Sequence, residues 1–423
     1  MTKSFQIANA SSRALLIAAC LLFLTLTFFF VKWCVGNVIA VRAPAKDIAR
    51  LGVDFAPSDP QTHYSLAVIS GRNYSAEDFA ESLAEYERAV ALSPHDYRLW
   101  LAYGKVRERG GDKAGAEFAL KKALTLAPNY APVQWAFGNV ILRRGRTTEA
   151  FAEMVRTAEN DKNFRLPLIA TAWQIFDGDL ENVRRHIGDS AAVNLVLANF
   201  LARQKRFDEA MQIWNNLAGE DKKSVYKAEG EQIYGELLAA KNFRAALQMR
   251  QSLDDKPEAE RFVVGRIFNG GFEMNAQREQ AGVFDWKIGE GNQPQIGPNN
   301  EQKHGGNWSL FMIFDSLNGQ DFRQISQTVA VESGKRYNFE VFYKAELKTA
   351  ATLQWEVADA GDGRILSSTG AISANADWTA LNAAFTTAAD TEAVTIRLAR
   401  EVCKGIVCPI TGKVRFDDFS LKE

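Results

Sequence analysis

Hydrophobic positions along the chain fall into three regimes. Ala14 to Val31, ALLIAACLLFLTLTFFFV, carries no charge. From about residue 60 to 262, apolar residues recur every three to four positions among Ala, Leu, Arg and Glu, the spacing of amphipathic helices. After the stretch NGGFE at 269–273 the period drops to two. TLQWEVAD sets Leu353, Trp355 and Val357 against Thr352, Gln354 and Glu356, and AVTIRLAR sets Val394, Ile396 and Leu398 against Thr395 and Arg397. ISQTVAV, RYNFEVFYKAE and KVRFDDFSL read as further strands, divided by turns such as ESGK and DAGDG. The pattern predicts a multidomain chain: one N-terminal transmembrane helix, an α-helical solenoid and an all-β sandwich.

At about 1.5 Å per residue the first apolar run spans roughly 27 Å, close to the thickness of bilayer hydrocarbon. Lys32 can snorkel and Trp33 suits an interface, so the span extends towards Ala40. The alternative is a cleaved signal peptide with Ala43-Pro44-Ala45 as its site, although the run exceeds the usual apolar region of about 7–15 residues. Lys3 and Arg13 precede the span and Lys32, Arg42, Lys46 and Arg50 follow it, so flanking charge does not set the orientation. The expected organisation is a cytoplasmic tail at 1–13, an anchor at 14–40, a linker at 41–60, helical repeats at 61–262 and a β-sandwich at 263–423. The content of the last region argues for an inner-membrane protein with its bulk outside the cytoplasm.

Composition adds exclusions. The 423 residues carry a net charge of -1, which gives no support for a nucleic-acid partner. Two of the four cysteines, Cys20 and Cys34, lie in the apolar N-terminal stretch. Cys403 and Cys408 flank CKGIVC, poor spacing for zinc but able to close a small disulfide loop after export, or to remain two reduced thiols.

The helical region repeats. Residues 97–130 align with 131–164: Gly104 matches Gly138, Gly111 matches Gly145 and Ala116 matches Ala150. Ala89 and Pro94 of the preceding window recur as Ala123 and Pro128. Small residues let paired helices approach, and Pro ends the second helix. No single unit buries its apolar face, so units must stack. This region resembles the tetratricopeptide repeat family. Later units weaken, with 165–190 shortened, and five or six hairpins are expected. The resemblance implies a concave face that binds a protein partner through positions 2, 5, 9, 12 and 13 of each repeat. Carried over, these positions give Arg109, Arg143 and Arg203, with Asn139 and Asn199, as a groove for carboxylates or extended backbone. The alternative is a solvated polar face.

In the last region NGGFE, FDW (284–286), HGGNWSL (304–310), QTVAVESGKRYNFEVFYKA (327–345), DWTALNAAFTT (377–387) and VRFDDFSL occur in order. This resembles the galactose-binding-like jelly roll of carbohydrate-binding modules. The resemblance implies neighbouring first and last strands and a structural Ca²⁺ held by Glu273 and Asp418, with Asp417 or a carbonyl assisting. Otherwise these acids belong to a strand end and a polar turn. Sugar binding needs exposed aromatic faces and planar polar groups. The candidates are Trp308 and Trp378 with Gln354, Glu356 and Arg397. Trp355 shares a strand face with Leu353 and Val357 and is expected in the core, and Trp286 and Trp378 match positions that commonly pack the sandwich.

No catalytic signature stands out. The chain lacks G-x-S-x-G, H-E-x-x-H, a P-loop and a Rossmann fingerprint. Its histidines, at 63, 95, 186 and 304, are far apart. The expectation is a non-catalytic anchored adaptor that holds a protein on its repeats and a polysaccharide on its sandwich, in envelope or exopolysaccharide assembly. The alternatives are a purely structural assembly factor and an accessory subunit of a polysaccharide-active enzyme.

Overall fold

The computed structural model describes residues 10–73, 75–253, 261–274, 281–316, 322–349, 352–401 and 408–423. It forms two compact units, Met1–Val196 and Leu197–Glu423.

The first unit begins with α1 (Ala10–Arg42), whose apolar window is entirely exposed. Its last turns are buried at Gly36 and Ala40 against α2 (Lys46–Phe55), buried there at Ala49 and Gly52. The approach requires glycine: a Cβ on Gly36 would stand 2.7 Å from Ala56 Cβ and 3.0 Å from the Gly52 carbonyl oxygen. The expected linker at 41–60 is therefore mostly a helix, folded back on the end of the apolar one. Its i, i+3, i+7 apolar spacing was obscured by its shortness.

Helical hairpins follow: α3 (Pro60–Ser70) with α4 (Ala76–Leu92), α5 (Tyr97–Arg109) with α6 (Lys113–Leu126), α7 (Ala131–Arg143) with α8 (Thr147–Asn160), and the shortened α9 (Arg165–Ile175) with α10 (Leu180–Ile187). Aspartate caps recur. Asp59, Asp96, Asp112 and Asp179 each accept an amide N–H of the first helical turn, which satisfies donors that the helix itself cannot. Gly104 lies against Leu120, and Gly138 against Met154. The aligned glycines are thus the sites where each hairpin closes.

Helix α11 (Ala191–Arg203) spans the boundary between the units. The second unit continues with α12 (Phe207–Asn215), α13 (Gly219–Lys223), α14 (Lys227–Ala239) and α15 (Phe243–Leu253), and then becomes a sandwich. The strands are β1 (Lys287–Ile288), β2 (Gln295–Asn299), β3 (Ser309–Ser316), β4 (Ile325–Ala330), β5 (Arg336–Thr349), β6 (Thr352–Asp359), β7 (Ile365–Ser368), β8 (Asn375–Thr386), β9 (Ala393–Glu401) and β10 (Ile410–Lys422). They form two five-stranded sheets, ordered β1-β4-β9-β6-β7 and β2-β3-β10-β5-β8, with antiparallel pairing throughout. Between them lies one core containing Phe272, Trp286, Phe339, Trp355, Phe416 and Phe419. Trp355 and Trp286 are core residues, as expected.

The change from helix to sheet at residue 263 is not the edge of a compact unit. Arg244 of α15 donates its backbone N–H to Glu392 at 3.1 Å, pairs with that carboxylate through its guanidinium, and lies 3.7 Å from Glu332. Lys241 reaches the Gly361 carbonyl. The last helical hairpin is thereby fastened to the sandwich.

Candidate functional sites

In the first unit, side chains of α3, α4 and α5 and the start of the next repeat border a groove of about 540 Å³. Four tyrosines line it: Tyr64, Tyr86, Tyr97 and Tyr130. They stand in two edge-to-face pairs, Tyr64–Tyr86 at 5.9 Å and Tyr97–Tyr130 at 5.3 Å between ring centroids. Arg72, Arg98, Lys105 and Arg109 share the lining, and among the described residues no acid does. Asp96 chelates Arg98 at 2.9 and 2.7 Å, and Arg109 donates to the Gly71 carbonyl at 3.2 Å. Lys105 and Arg72 have no ion pair among the described residues. Burial pushes the Tyr86 hydroxyl up to about 12, with Tyr64 adding to the rise and Arg109 opposing it.

Of the five expected groove residues, Arg109 lines this groove. Arg143 is committed to an ion pair with Glu108. Asn139 donates to Trp135 of its own helix at 2.8 Å. Arg203 lies 4.0 Å from Glu236, and Asn199 is half-buried on α11. These two stand in the second unit. The residues missed were legible by the same repeat positions: position 2 gives Tyr64 and Arg98, and position 9 gives Lys105. Tyr86 and Tyr130 come from outside those positions.

NGGFE builds the start of the sandwich. Asn269 closes a loop on itself, donating to the Met274 carbonyl at 2.7 Å and accepting its N–H at 3.0 Å. Phe272, at φ 56°, plugs the core against Trp286 and Phe419. Glu273 turns outward and accepts the amides of Asn307 at 2.6 Å and Trp308 at 3.1 Å. Burial pushes its carboxyl up, but these amide bonds outweigh that and hold it below its ordinary value. Asp417 Oδ2 accepts the amides of His304 at 2.8 Å and Gly305 at 3.1 Å, while burial pushes its own carboxyl up. Asp418 meets His304 Nδ1 at 2.6 Å.

The three acids expected to hold calcium are thus arrayed around the loop HGGNW, with oxygens facing N–H donors. A hard cation needs roughly 6–8 converging oxygens. Among the described residues no group of three or more His, Cys, Asp or Glu side chains stands together as a metal site. Cys408 is buried and disulfide-bonded, and Cys403 lies outside the described residues.

The residues expected to bind sugar separate into three places. Glu356 and Arg397 pair at 2.9 Å on the outer face of the β1-β4-β9-β6-β7 sheet, and Gln354 shares that face. Trp308, 37% exposed, lies in the loop before β3. Trp378 stands on edge strand β8, half-buried, 5.7 Å from His304. The structure adds neighbours to Trp378. His304 stacks on Phe342 at 3.8 Å and 12°. Lys344 pairs with Asp377 at 2.8 Å. Next along the sheet the Arg415 guanidinium covers the Phe311 ring at 4.3 Å. Arg415 is only 5% exposed, and its Nε has no hydrogen-bond partner. The outer face of β3-β10-β5-β8 is therefore an aromatic and charged strip. Alternation along β5 and β10 marks it, since Phe342 and Arg415 fall on the outward register.

Residues 73–131 match the tetratricopeptide repeat family model, so α4 to α6 carry that repeat. No curated protein matches the sequence. Among solved structures, Pseudomonas aeruginosa pilF shares 19% identity over 50% of this chain and 97% of that chain, with a TM-score of 0.32. A structure described as CBM4 shares 17% over 37% of this chain and 98% of its own, with a TM-score of 0.28. The Clostridium thermocellum xylanase 10B CBM22-1–GH10 modules, complexed with xylohexaose, share 14% over 38% of this chain, with a TM-score of 0.26. The chain spans 29% of that last protein. Likenesses this weak transfer neither ligand nor partner.

Proposed function

We propose that the protein is a non-catalytic adaptor, anchored in the inner membrane by α1, whose repeats hold an acidic, extended segment of a protein partner. The observation that carries this reading is the groove, with four basic side chains, four tyrosines and no acid among its described lining residues. Tyrosine rings supply flat, rigid contact with a polar tip, and the cations select carboxylates and raise association rates. The test is a peptide array probed with the full-length chain, pairing acidic sequences with their Gln- and Asn-substituted analogues. Acidic members should bind with strong salt dependence, and Lys105→Glu with Arg109→Glu should remove that binding. Equal retention of the amide analogues overturns the reading.

The strip of Phe342, His304, Trp378 and Phe311 favours a second contact, a glycan laid across the outer sheet face. Aromatic rings offer stacking surfaces for pyranose C–H faces, and Lys344, Asp377 and Arg415 offer hydroxyl partners. Retention on immobilised polysaccharide that is indifferent to Trp378→Ala would leave the protein a purely structural assembly factor at that face. Exopolysaccharide assembly is the setting that joins both contacts.

A further inference from the structure

We infer that the glycan taken by the outer face of β2-β3-β10-β5-β8 is acidic, with a uronate carboxylate seated on Arg415. The inference rests on the glycan reading of that face and names its ligand class. Four strands set the site in one row. Arg415 of β10 stands opposite Phe311 of β3 and Lys344 of β5. Beyond Lys344 the register slips. Thr379 pairs with Tyr343 and Ala376 with Ala345, so Asp377 and Trp378 of β8 both face Lys344. Such a bulge brings two side chains to one level. From Phe311 to Trp378 the row crosses three strand spacings, about 14 Å, the reach of a short oligosaccharide.

The charges along this row do not balance. Lys344 has Asp377 at 2.8 Å. Two residues away on β10, the exposed Lys413 stands opposite Glu346. Two residues the other way, Asp417 engages both carboxylate oxygens with the amides of His304, Gly305 and Asp418. Arg415 is left over. Among the described residues no hydrogen bond or ion pair reaches its guanidinium, although the residue is only 5% exposed.

Arginine keeps its charge in proteins, and a buried charge without a partner is costly. The Phe311 ring, 4.3 Å from the guanidinium carbon, positions the group by its π face but accepts none of its N–H groups in the plane. What the row lacks is an anion with two coplanar oxygens. A uronate carboxylate brings one and a neutral sugar does not. Trp378, with His304 at 5.7 Å, offers a stacking surface for a neighbouring sugar ring at the other end of the row.

The experiment is affinity electrophoresis of the full chain, in nonionic detergent, through polygalacturonate and alginate. Each polymer is run beside its methyl ester, which keeps the backbone and removes the charge. The acid forms should bind about tenfold more tightly than the esters. Arg415→Met should erase that preference, and its Tm should equal or exceed the wild type's, because a buried charge without a partner is removed. Equal binding of acid and ester forms overturns the acidic ligand and leaves the glycan reading standing. A preference that survives Arg415→Met, or a Tm lowered by it, overturns the assignment to Arg415. Dextran sulfate bound as tightly as the uronates overturns the choice of a carboxylate. Binding to none of these polymers overturns the glycan reading and this inference together.

Discussion

Gly270 and Phe419 are joined backbone to backbone. The Phe419 amide donates to the Gly270 carbonyl at 3.0 Å, and a Cβ at position 270 would stand 2.2 Å from the Phe419 carbonyl oxygen. The first corner of the sandwich is thereby pinned to its last strand at a spacing that only glycine permits. Gly270→Ala forces backbone to move beside the aromatic core. We expect a loss of about 3 kcal/mol, read as a drop in the urea midpoint. An unchanged midpoint would show that the corner yields freely.

The loop HGGNW is held by carboxylates that accept its amides, so a chelator should leave Tm unchanged. Glu273→Gln replaces one acceptor oxygen with a donor facing N–H groups and should destabilise the protein. The sign for Glu273 follows from its lowered carboxyl. Its contribution is full above its unfolded value and disappears as pH falls through the lower folded one. The wild type should therefore lose stability faster than Glu273→Gln below pH 4.5, the ordinary value, and parallel acid curves would contradict this account.

At the base of the first unit, Lys46 and then Ser75 and Asn73 hold the Asp78 carboxyl at about 2, against an ordinary 3.8. Being depressed, it stabilises above 3.8 and that contribution is lost as pH falls towards 2. Lys46→Met should weaken this acid-side slope, and an acid titration followed by circular dichroism reads it. No difference between the variant and wild type would place the pair among surface ion pairs of negligible worth.

Glycan retention, if it uses the strip on the second sheet, should fall about tenfold to a hundredfold in Trp378→Ala or Phe342→Ala, since one stacked aromatic contributes about 1–3 kcal/mol. Gln354→Ala, on the opposite sheet face, should retain wild-type affinity. The reverse ranking, measured by affinity electrophoresis, would move the site to the Glu356–Arg397 face.

The regular parts of the molecule were legible because they obey one period each. The aligned Gly104 and Gly138 located the helix pairs, and the alternation of Leu353, Trp355 and Val357 placed β6 at its observed bounds. Short elements were less legible. Helix α2 has ten residues, too few for its stripe to declare itself, and β1 and β2 have two and five. Sites were hardest, since they depend on which side chain is already taken. Arg109 and Arg143 occupy the same repeat position, yet Arg143 has Glu108 beside it while Arg109 opens into the groove. The sugar candidates Glu356 and Trp378 lie on different sheets, which linear order does not reveal.

The bond from Arg244 to Glu392 spans 148 residues of chain. As the polypeptide is made from its N-terminus, α15 is complete long before its acidic partners exist. The last helical pair must wait, its docking face bare, until β9 arrives. That interval is when a folding helper, or a protease, would find the nascent protein most vulnerable.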